Sequence, residues 1–590
     1  VIQHMTKEQK INVRDCGELS FDYLMSEEPE PPVLFNKENC LERASKHYCN
    51  MSDTREWPAN KELQWRFLAL SRGLGLPMPR PYRPPYMPGL TALIPHFEEP
   101  ILLQPEDLYS EVSGEMRDLG HLMDYLRIKY MDEFKNLAQN WRVPGGIRNW
   151  SRYSPEQWKE TCIWASMRLQ TLWRTVAGIC KYHEALVLHN ELQGIHNSGL
   201  LWNSEDTSDV FRCLVSMQLY AYSTSVQRQQ VNEMLERFPT NLKIAYIDQG
   251  GVGESRGGNR PDAIHPQQRR RYYSCLIDRG CKKAKNSDSA FRLPLYRIEL
   301  PGYPILSDGK ADNQNHALPF ARGTITQCVD ANQGAYFEQM LLLPAALGEF
   351  RSNAKRIVGF PEHITSDLGS VGDFAAGSEM AFCTLLQRSY AVLGGRMHYG
   401  HPDLMNKQYM MQQGGISKGT RTLNLSEDIF AGLDFVLRAD GRQICHKEYF
   451  HLSKGRDLGF NSVLKFFSKL SSGSGEQLLT RQMCRLGQLL SLPEVLTLYY
   501  AHAGYYLTQF LLSWVMPTVL FTWSLVLASD CDGHFASFEG SCAKHPAPEL
   551  MGRMLASIYT YALLVLVLLA TALPLFTEEW LERSLKLAVK

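Results

Sequence analysis

No charge of one sign predominates in this 590-residue chain. Its 62 Lys and Arg balance 62 Asp and Glu, for a formal net charge of +0. A basic footprint for nucleic acid is therefore missing. None of the 14 cysteines stands in a CxxC pair, which argues against a zinc framework and against a disulfide-dense secreted domain. Reduced thiols in a cytosolic body are expected. No repeat with a period of roughly 20–50 residues is visible, which excludes a solenoid. No GxxxxGK[ST] loop and no GxGxxG fingerprint occur, so the Gly-rich, then basic stretch from Gln249 to Arg271 reads as a flexible loop. The chain opens on Val1, and no signal-peptide pattern follows. Further sequence upstream is expected.

Polar, mixed sequence fills residues 1–80, with a PEPP spacer at Pro29–Pro32. A Pro-rich entry, Pro77–Gly89, leads into LTALIPHFEE at Leu90–Glu99, which reads as a buried strand closed by acidic residues. Apolar residues at three-to-four spacing predict a helix over Thr161–Leu192. Further strands are predicted at Cys213–Tyr222, Leu242–Asp248, YYSCLI, YRIELP and Ile325–Asp330. Strands alternating with helices imply an α/β domain with a largely parallel sheet, here assigned to residues 81–504.

Two uncharged runs close the chain, 24 residues at Tyr505–Ala528 and 23 at Met554–Phe576. Crossing a bilayer takes roughly 20 apolar residues, so both qualify as transmembrane helices. Basic residues Arg481 and Arg485 precede the pair, and Arg583, Lys586 and Lys590 follow it. The positive-inside tendency then puts the large N-terminal body in the cytosol and the loop 529–553 outside. Cys531 and Cys542 share that loop, where a disulfide is expected. The tail 577–590 returns to the cytosol.

In open α/β sheets ligands gather at the carboxyl ends of strands. His96, Glu98, Asp248 and Asp330 are each predicted at or beside such an end. Asp330 and Asn332 form a strand-Asp-x-Asn pattern that resembles the DxD element of GT-A glycosyltransferases. Its carboxylate suits a hard divalent cation or direct contact with a sugar diphosphate; the plain alternative is a cap for the helix beginning at AYFEQ. Upstream, GKADNQNHA offers Lys310 as a point charge for phosphate and Asn313, Gln314, Asn315 and His316 as polar contacts for a sugar. GGISKGTR is a second basic Gly-rich loop, with Lys418 and Arg421 placed to meet an anion. Glu427 and Asp428 follow it. Glycosyl transfer needs a carboxylate that deprotonates the acceptor hydroxyl, and Asp428 is the chosen base. RMHYGHPD contributes His398 and His401, read as a sugar- or acceptor-facing loop, because a zinc site needs more ligands than this pair.

The motifs MPGLTALIPHFEEPILL, IWASMRLQTLWRT, LKIAYID, DGKADNQNHA, VDANQ, RMHYGHPD, GGISKGTRTLNLSEDIFAG, KEYFHLSKGRDLGF and SGSGEQLLTR follow one another from Met87 to Arg481. Together they resemble the 1,3-β-glucan synthase family of fungal glucan synthases and plant callose synthases. That resemblance implies a cytosolic GT-A-like domain in a multi-pass plasma-membrane protein, of which this chain is a fragment. It implies UDP-glucose as donor and a growing β-1,3-glucan as acceptor. It also implies contact with membrane lipid and a Rho-type GTPase as regulator. Mg2+ or Mn2+ is the candidate cofactor, with Asp330 as its ligand. Carried over residue by residue, Lys310, Asp330, Lys418, Glu427 and Asp428 form the expected active-site set. The competing readings are a synthase of another β-linked polymer and a silent membrane subunit.

Overall fold

The computed structural model describes residues 81–82, 87–109, 120–144, 146–192, 207–249, 271–284, 290–306, 310–331, 333–352, 357–364, 403–406, 444–455, 460–499 and 504–528, with a few isolated residues besides. The strands are β1 (Leu90–Pro95), β2 (Phe211–Ser216), β3 (Leu242–Gln249), β4 (Tyr272–Ile277), β5 (Tyr296–Glu299), β6 (Ile325–Cys328), β7 (Gln333–Gly334), β8 (Ile357–Gly359), β9 (Glu362–Ile364), β10 (Asp403–Asn406), β11 (Ile444–His446) and β12 (Leu452–Lys454). The helices that concern the site are α1 (Pro155–Ser166), α2 (Leu172–Leu192), α3 (Ser225–Arg237) and α4 (Lys310–Asn315). By internal contacts the chain divides into two units.

The larger unit carries a mixed sheet in the order β8-β10-β6-β1-β2-β3-β4-β5. Its centre is parallel: β1 pairs with β2 and β6, and β2 pairs with β3. The flanks, β8-β10-β6 and β3-β4-β5, are antiparallel. The central strands are buried on both faces, as LTALIP shows by having every residue buried. A strand covered on two sides reads as a continuous apolar run instead of alternating, which is why the sequence exposed these strands well. The predicted helix over Thr161–Leu192 is two helices, α1 and α2, with Met167–Thr171 between them. Ser154 caps α1 by accepting from the backbone N–H of Gln157, whose side chain returns to the backbone N–H of Ser154.

Helix α2 packs against the strip that follows β6. Thr175 donates to the carbonyl of Ala331 at 2.7 Å. Gly178 lets the two backbones approach, because a Cβ there would lie 2.6 Å from the nitrogen of Ala335. A similar approach joins the start of β1 to the turn before β6: Gly323 adopts φ +81° and sits against the backbone of Gly89. A separate three-stranded sheet, β7-β12-β9, lies in the same unit; β12 runs antiparallel to β7 and parallel to β9.

Among the described residues the second unit holds β11, the helices α5 (Phe460–Leu478), α6 (Arg481–Leu489), α7 (Leu492–Leu498) and α8 (Gly504–Ala528), and a short helix at Leu585–Ala588. Helix α8 spans 25 residues with Pro517 inside it and no charged residue. The first predicted apolar run is therefore one continuous helix. Among the described residues no helix is long and apolar enough to cross a membrane. The second run, apart from isolated positions, and the loop with Cys531 and Cys542 lie outside the described residues.

The close approach at Gly178 makes a direct prediction. Gly178→Ala forces α2 away from the Ala331–Ala335 strip and should cost about 1–3 kcal/mol, the usual penalty for overpacking. Chemical denaturation of the two proteins measures it; equal stability would refute the approach.

Candidate active site

The carboxyl ends of the parallel strands β1, β2, β3 and β6 share one edge of the sheet, and α4 lies across it. Sequence forces this arrangement through buried polar groups that need partners. Asn313 donates through Nδ2 to the carbonyl of His96 at the end of β1, at 2.7 Å. Ser216, the last residue of β2, donates to the carbonyl of Asn313. Gln314 donates to the carbonyls of Leu93 and Val329, at 2.9 and 3.1 Å, which ties α4 to both β1 and the end of β6. His316 sits between two hydroxyls, with Ser216 Oγ 2.9 Å from Nε2 and Ser274 Oγ 2.9 Å from Nδ1. Burial pushes its imidazole down to about 3, so it is neutral. His96 is also lowered, chiefly by burial and against the opposing pull of the Glu99 carbonyl and carboxylate.

Thus Asn313 and His316, expected as sugar contacts, spend the polar atoms just named on fastening α4, and both are buried. Asn315 is half-buried on the same helix. The helix serves to present its first residue, Lys310.

Lys310 Nζ meets Asp330 Oδ1 as a close ion pair. The two residues singled out from separate motifs are therefore side by side. Asp330 does not cap the helix at Phe337–Met340, whose N-cap is Tyr336. Instead its second oxygen accepts from Lys454 Nζ at 2.8 Å. Lys454 in turn donates to Glu362 Oε2 at 2.9 Å. Gln333 donates from Nε2 to Glu362 Oε1, and its own Oε1 accepts from the backbone N–H of Asp330 at 3.0 Å. These bonds close a ring that runs Asp330 carboxylate, Lys454, Glu362, Gln333 and Asp330 backbone. The sheet β7-β12-β9 builds it, with Lys454 opposite Gln333 and next to Ile364 in register. Gly334 lets this strip sit under Ser453, whose Oγ would lie 2.8 Å from a Cβ there.

The ring is graded in exposure. The Glu362 side chain is 0 % exposed and Lys454 5 %, whereas Asp330 is 22 % and Lys310 15 % exposed. Two ammoniums and two carboxylates cancel, so the interior carries no net charge from this cluster. Lys454, Glu362 and Gln333 were not anticipated as site residues. KEYFHLSKGRDLGF was noted as a motif, but nothing local singles out its Lys454, whose partners lie 124 and 92 residues away. Beside the ring, His363 and His451 stack with centroids 3.9 Å apart. Burial, then the neighbouring His363, lowers His451 to about 4.

Asn332, His398, His401, Lys418, Arg421, Glu427 and Asp428 lie outside the described residues. Among the described residues no cluster of three or more His, Cys, Asp or Glu is placed to hold a metal. Both oxygens of Asp330 already accept from lysines. Asp330 remains the described residue that would hold a divalent cation, in exchange for a lysine.

A mixed α/β sheet with an ion-paired acid at the carboxyl end of a central strand defines the class: a domain built to bind a ligand at its switch edge. The chain belongs to the 1,3-β-glucan synthase component family, whose model matches residues 147–590. It is 34% identical over 514 residues to the 1,3-beta-glucan synthase component FKS1 of Aspergillus niger, covering 77% of this chain and 26% of that protein. With bgs1 of Schizosaccharomyces pombe, also a 1,3-beta-glucan synthase component, it shares 33% identity over 576 residues, 88% of this chain and 32% of the relative. Callose synthase 12 of Arabidopsis thaliana is 30% identical over 585 residues, 90% and 31% of the two chains. The chain thus spans about a quarter to a third of the length of these relatives. Among solved structures, a mannosyltransferase from Pyrobaculum calidifontis in complex with GDP-Man and Mn2+ aligns at 12% identity, with a TM-score of 0.32, over 89% of this chain and 97% of that one.

The neutral, buried His316 predicts a pH dependence. Its folded value, about 3, lies below the ordinary 6.5. The unfolded chain therefore takes up a proton that the folded one refuses. Stability is present in full above pH 6.5 and falls as the pH drops from there towards 3. His316→Gln should flatten this part of the profile, read as thermal midpoint against pH. An unchanged slope in the variant would contradict the assignment.

Proposed function

We propose that this chain is the glucosyl-transferring part of a 1,3-β-glucan synthase, an inverting enzyme that moves glucose from UDP-glucose to the 3-hydroxyl of a growing β-1,3-glucan. The observation that supports it most is the Lys310–Asp330 pair at the carboxyl end of a central strand, in a chain of this family. Lys310 is the more exposed of the two lysines on Asp330 and is the group that reaches the donor diphosphate. Asn315 and Asn332 line the sugar side, with His398 and His401 towards the acceptor. Lys418 and Arg421 meet the diphosphate from the second basic loop.

In the transfer, Asp428 takes the proton of the acceptor 3-hydroxyl while Glu427 stands beside it. The freed oxygen forms its bond to C1 of glucose as the bond from C1 to the diphosphate oxygen breaks. UDP leaves with the electron pair. Lys310, Lys418 and Arg421 stabilise the negative charge that develops on it, and such fixed groups are each worth about 10²–10³ in rate. No step is routed through Mg2+ or Mn2+; Asp330 is the residue that would hold such a cation, which would neutralise charge on the diphosphate.

On their sequence alone, the uncharged runs Tyr505–Ala528 and Met554–Phe576 are proposed as a membrane hairpin that holds the catalytic body on the cytosolic face of the plasma membrane, in contact with lipid. The loop between them would carry a Cys531–Cys542 disulfide on the outer side. A Rho-type GTPase is the proposed regulator, on family resemblance alone.

Three measurements test the reading. Asp428→Asn should lower glucan synthesis by about 10²–10⁴-fold, the usual share of a general base, while UDP-glucose still binds; near-normal output would refute the role. Lys310→Ala should weaken UDP-glucose binding about tenfold or more in equilibrium dialysis, the loss of one charge-assisted contact. Unaltered affinity in a folded variant would remove Lys310 from the donor site. Linkage analysis of the product distinguishes 1,3-glucan from other β-linked polymers.

A further inference from the structure

We infer that Tyr336 is an acceptor-binding residue: its phenol ring is the platform on which a glucose unit of the growing β-1,3-glucan stacks, a short way back from the reacting end. The inference rests on the proposed transfer and adds to it a residue outside the active-site set named above.

The placement of Tyr336 carries it. Asp330, the strand-end acid, opens a strip of chain whose later residues are packed away. Gln333 is 0 %, Ala335 7 % and Phe337 1 % exposed, and Gly334 is buried. Tyr336, between Ala335 and Phe337, is 44 % exposed. Its backbone has a structural task as the N-cap of Phe337–Met340, but no side-chain cap bond is made there, so that task does not require the ring.

The strip is held too firmly to bury it. Thr175 donates to the Ala331 carbonyl at 2.7 Å, Gly178 brings α2 against Ala335, and Gly334 sits under Ser453. Arg174 runs along the same stretch, with its Nε 3.3 Å from where a Cβ on Gly334 would be. Tyr336 is among the neighbours that offset the burial of this guanidinium. A large ring left in water on a fastened backbone, with a planar cation close by, suits a flat ligand that has apolar faces.

Chemistry then selects the ligand. A β-linked glucopyranose carries its hydroxyls around the rim, and its two faces present C–H groups. Such a face stacks on an aromatic ring, and tyrosine adds a polar tip for a rim hydroxyl. Position selects the acceptor over the donor. The Gln333 N–H donates to the Asp330 carbonyl at 3.2 Å, a tight turn, and three extended residues beyond it span about 10 Å. Tyr336 therefore lies within about 17 Å of Asp330. The strip meanwhile leaves the main sheet for the small one, where β7 pairs with β12. The donor, met at Lys310 on a helix fastened across β1, β2 and β6, lies over the main sheet. Of the two substrates, the polymer is the one that extends along the strip.

The test uses the full-length, membrane-embedded protein. Affinities for β-1,3-linked glucotetraose and for UDP are measured by equilibrium dialysis, and folding by thermal midpoint. Tyr336→Ala should weaken glucotetraose binding about fivefold or more, the loss of one stacked face. Its UDP affinity should stay within about twofold of the unaltered protein, because the two ligands occupy separate places. Tyr336→Phe should keep glucotetraose affinity within about threefold, because the ring remains and only the hydroxyl goes. Tyr336→Ala should also release shorter glucan, since a chain held less firmly leaves sooner; glucan of unaltered length would contradict the assignment.

Unchanged glucotetraose affinity in Tyr336→Ala overturns the inference. So does a fall in UDP affinity alone, which would make the ring a platform for the base. An equal fall for both ligands with a lowered midpoint marks a structural residue and overturns it too. If Tyr336→Ala does not fold, Tyr336→Gln, which keeps a long side chain without the ring, takes its place. If the unaltered protein binds UDP but not glucotetraose, the inference fails and the donor site stands. If it binds neither, the functional reading fails, and this inference with it.

Discussion

Everything at the candidate site depends on keeping one buried carboxylate, Glu362, charged and paired. A carboxylate removed from water costs several kcal/mol unless an ammonium and further hydrogen bonds replace the lost solvation. Lys454 supplies the ammonium and Gln333 the amide. Once those two are committed, Lys454 also donates to the Asp330 carboxylate and the amide oxygen of Gln333 accepts from the Asp330 backbone N–H, so the strand-end acid is fixed as a consequence. The small sheet β7-β12-β9 exists to bring these three residues within reach, since they come from positions 333, 362 and 454.

The same logic runs through the edge of the main sheet. α4 is short and polar, yet its inner face is buried, because Asn313 Nδ2, Gln314 Nε2 and the ring of His316 just after it find strand-end carbonyls or a hydroxyl. Those bonds fasten the helix to β1, β2 and β6 at once. Lys310, at its first residue, is thereby held where it meets Asp330. Among the described residues, α4 is fastened by uncharged amides, hydroxyls and a neutral imidazole, while Lys310 and Lys454 carry the charge that meets Asp330.

Much of this fold was legible in the sequence. The central strands declared themselves as short apolar runs, and LKIAYID and YYSCLI lie within a residue or so of their expected limits. Asp330 stood out because it ends such a run. What sequence could not supply was pairing across distance. Lys454 lies in an unremarkable LSK triplet, and its importance comes entirely from acids 92 and 124 residues earlier. Asn313 and His316 looked like ligand contacts because they sit in a polar run; solvent exclusion turned them inward. The break between α1 and α2 was missed because apolar spacing continues through residues 167–171, whereas Thr171 closes the first helix by bonding back to Ser166. The acids Glu427 and Asp428 were chosen on motif alone and lie outside the described residues.

The central claim is that the strand-end ion pair Lys310–Asp330 lies where the donor diphosphate is received. A structure of the full-length protein with UDP bound measures this directly. The account predicts a diphosphate oxygen within hydrogen-bond distance of Lys310 Nζ, with Lys454 still bridging Asp330 and Glu362. UDP bound away from this edge, or Lys454 swung out to the diphosphate with Glu362 left unpaired, would contradict it.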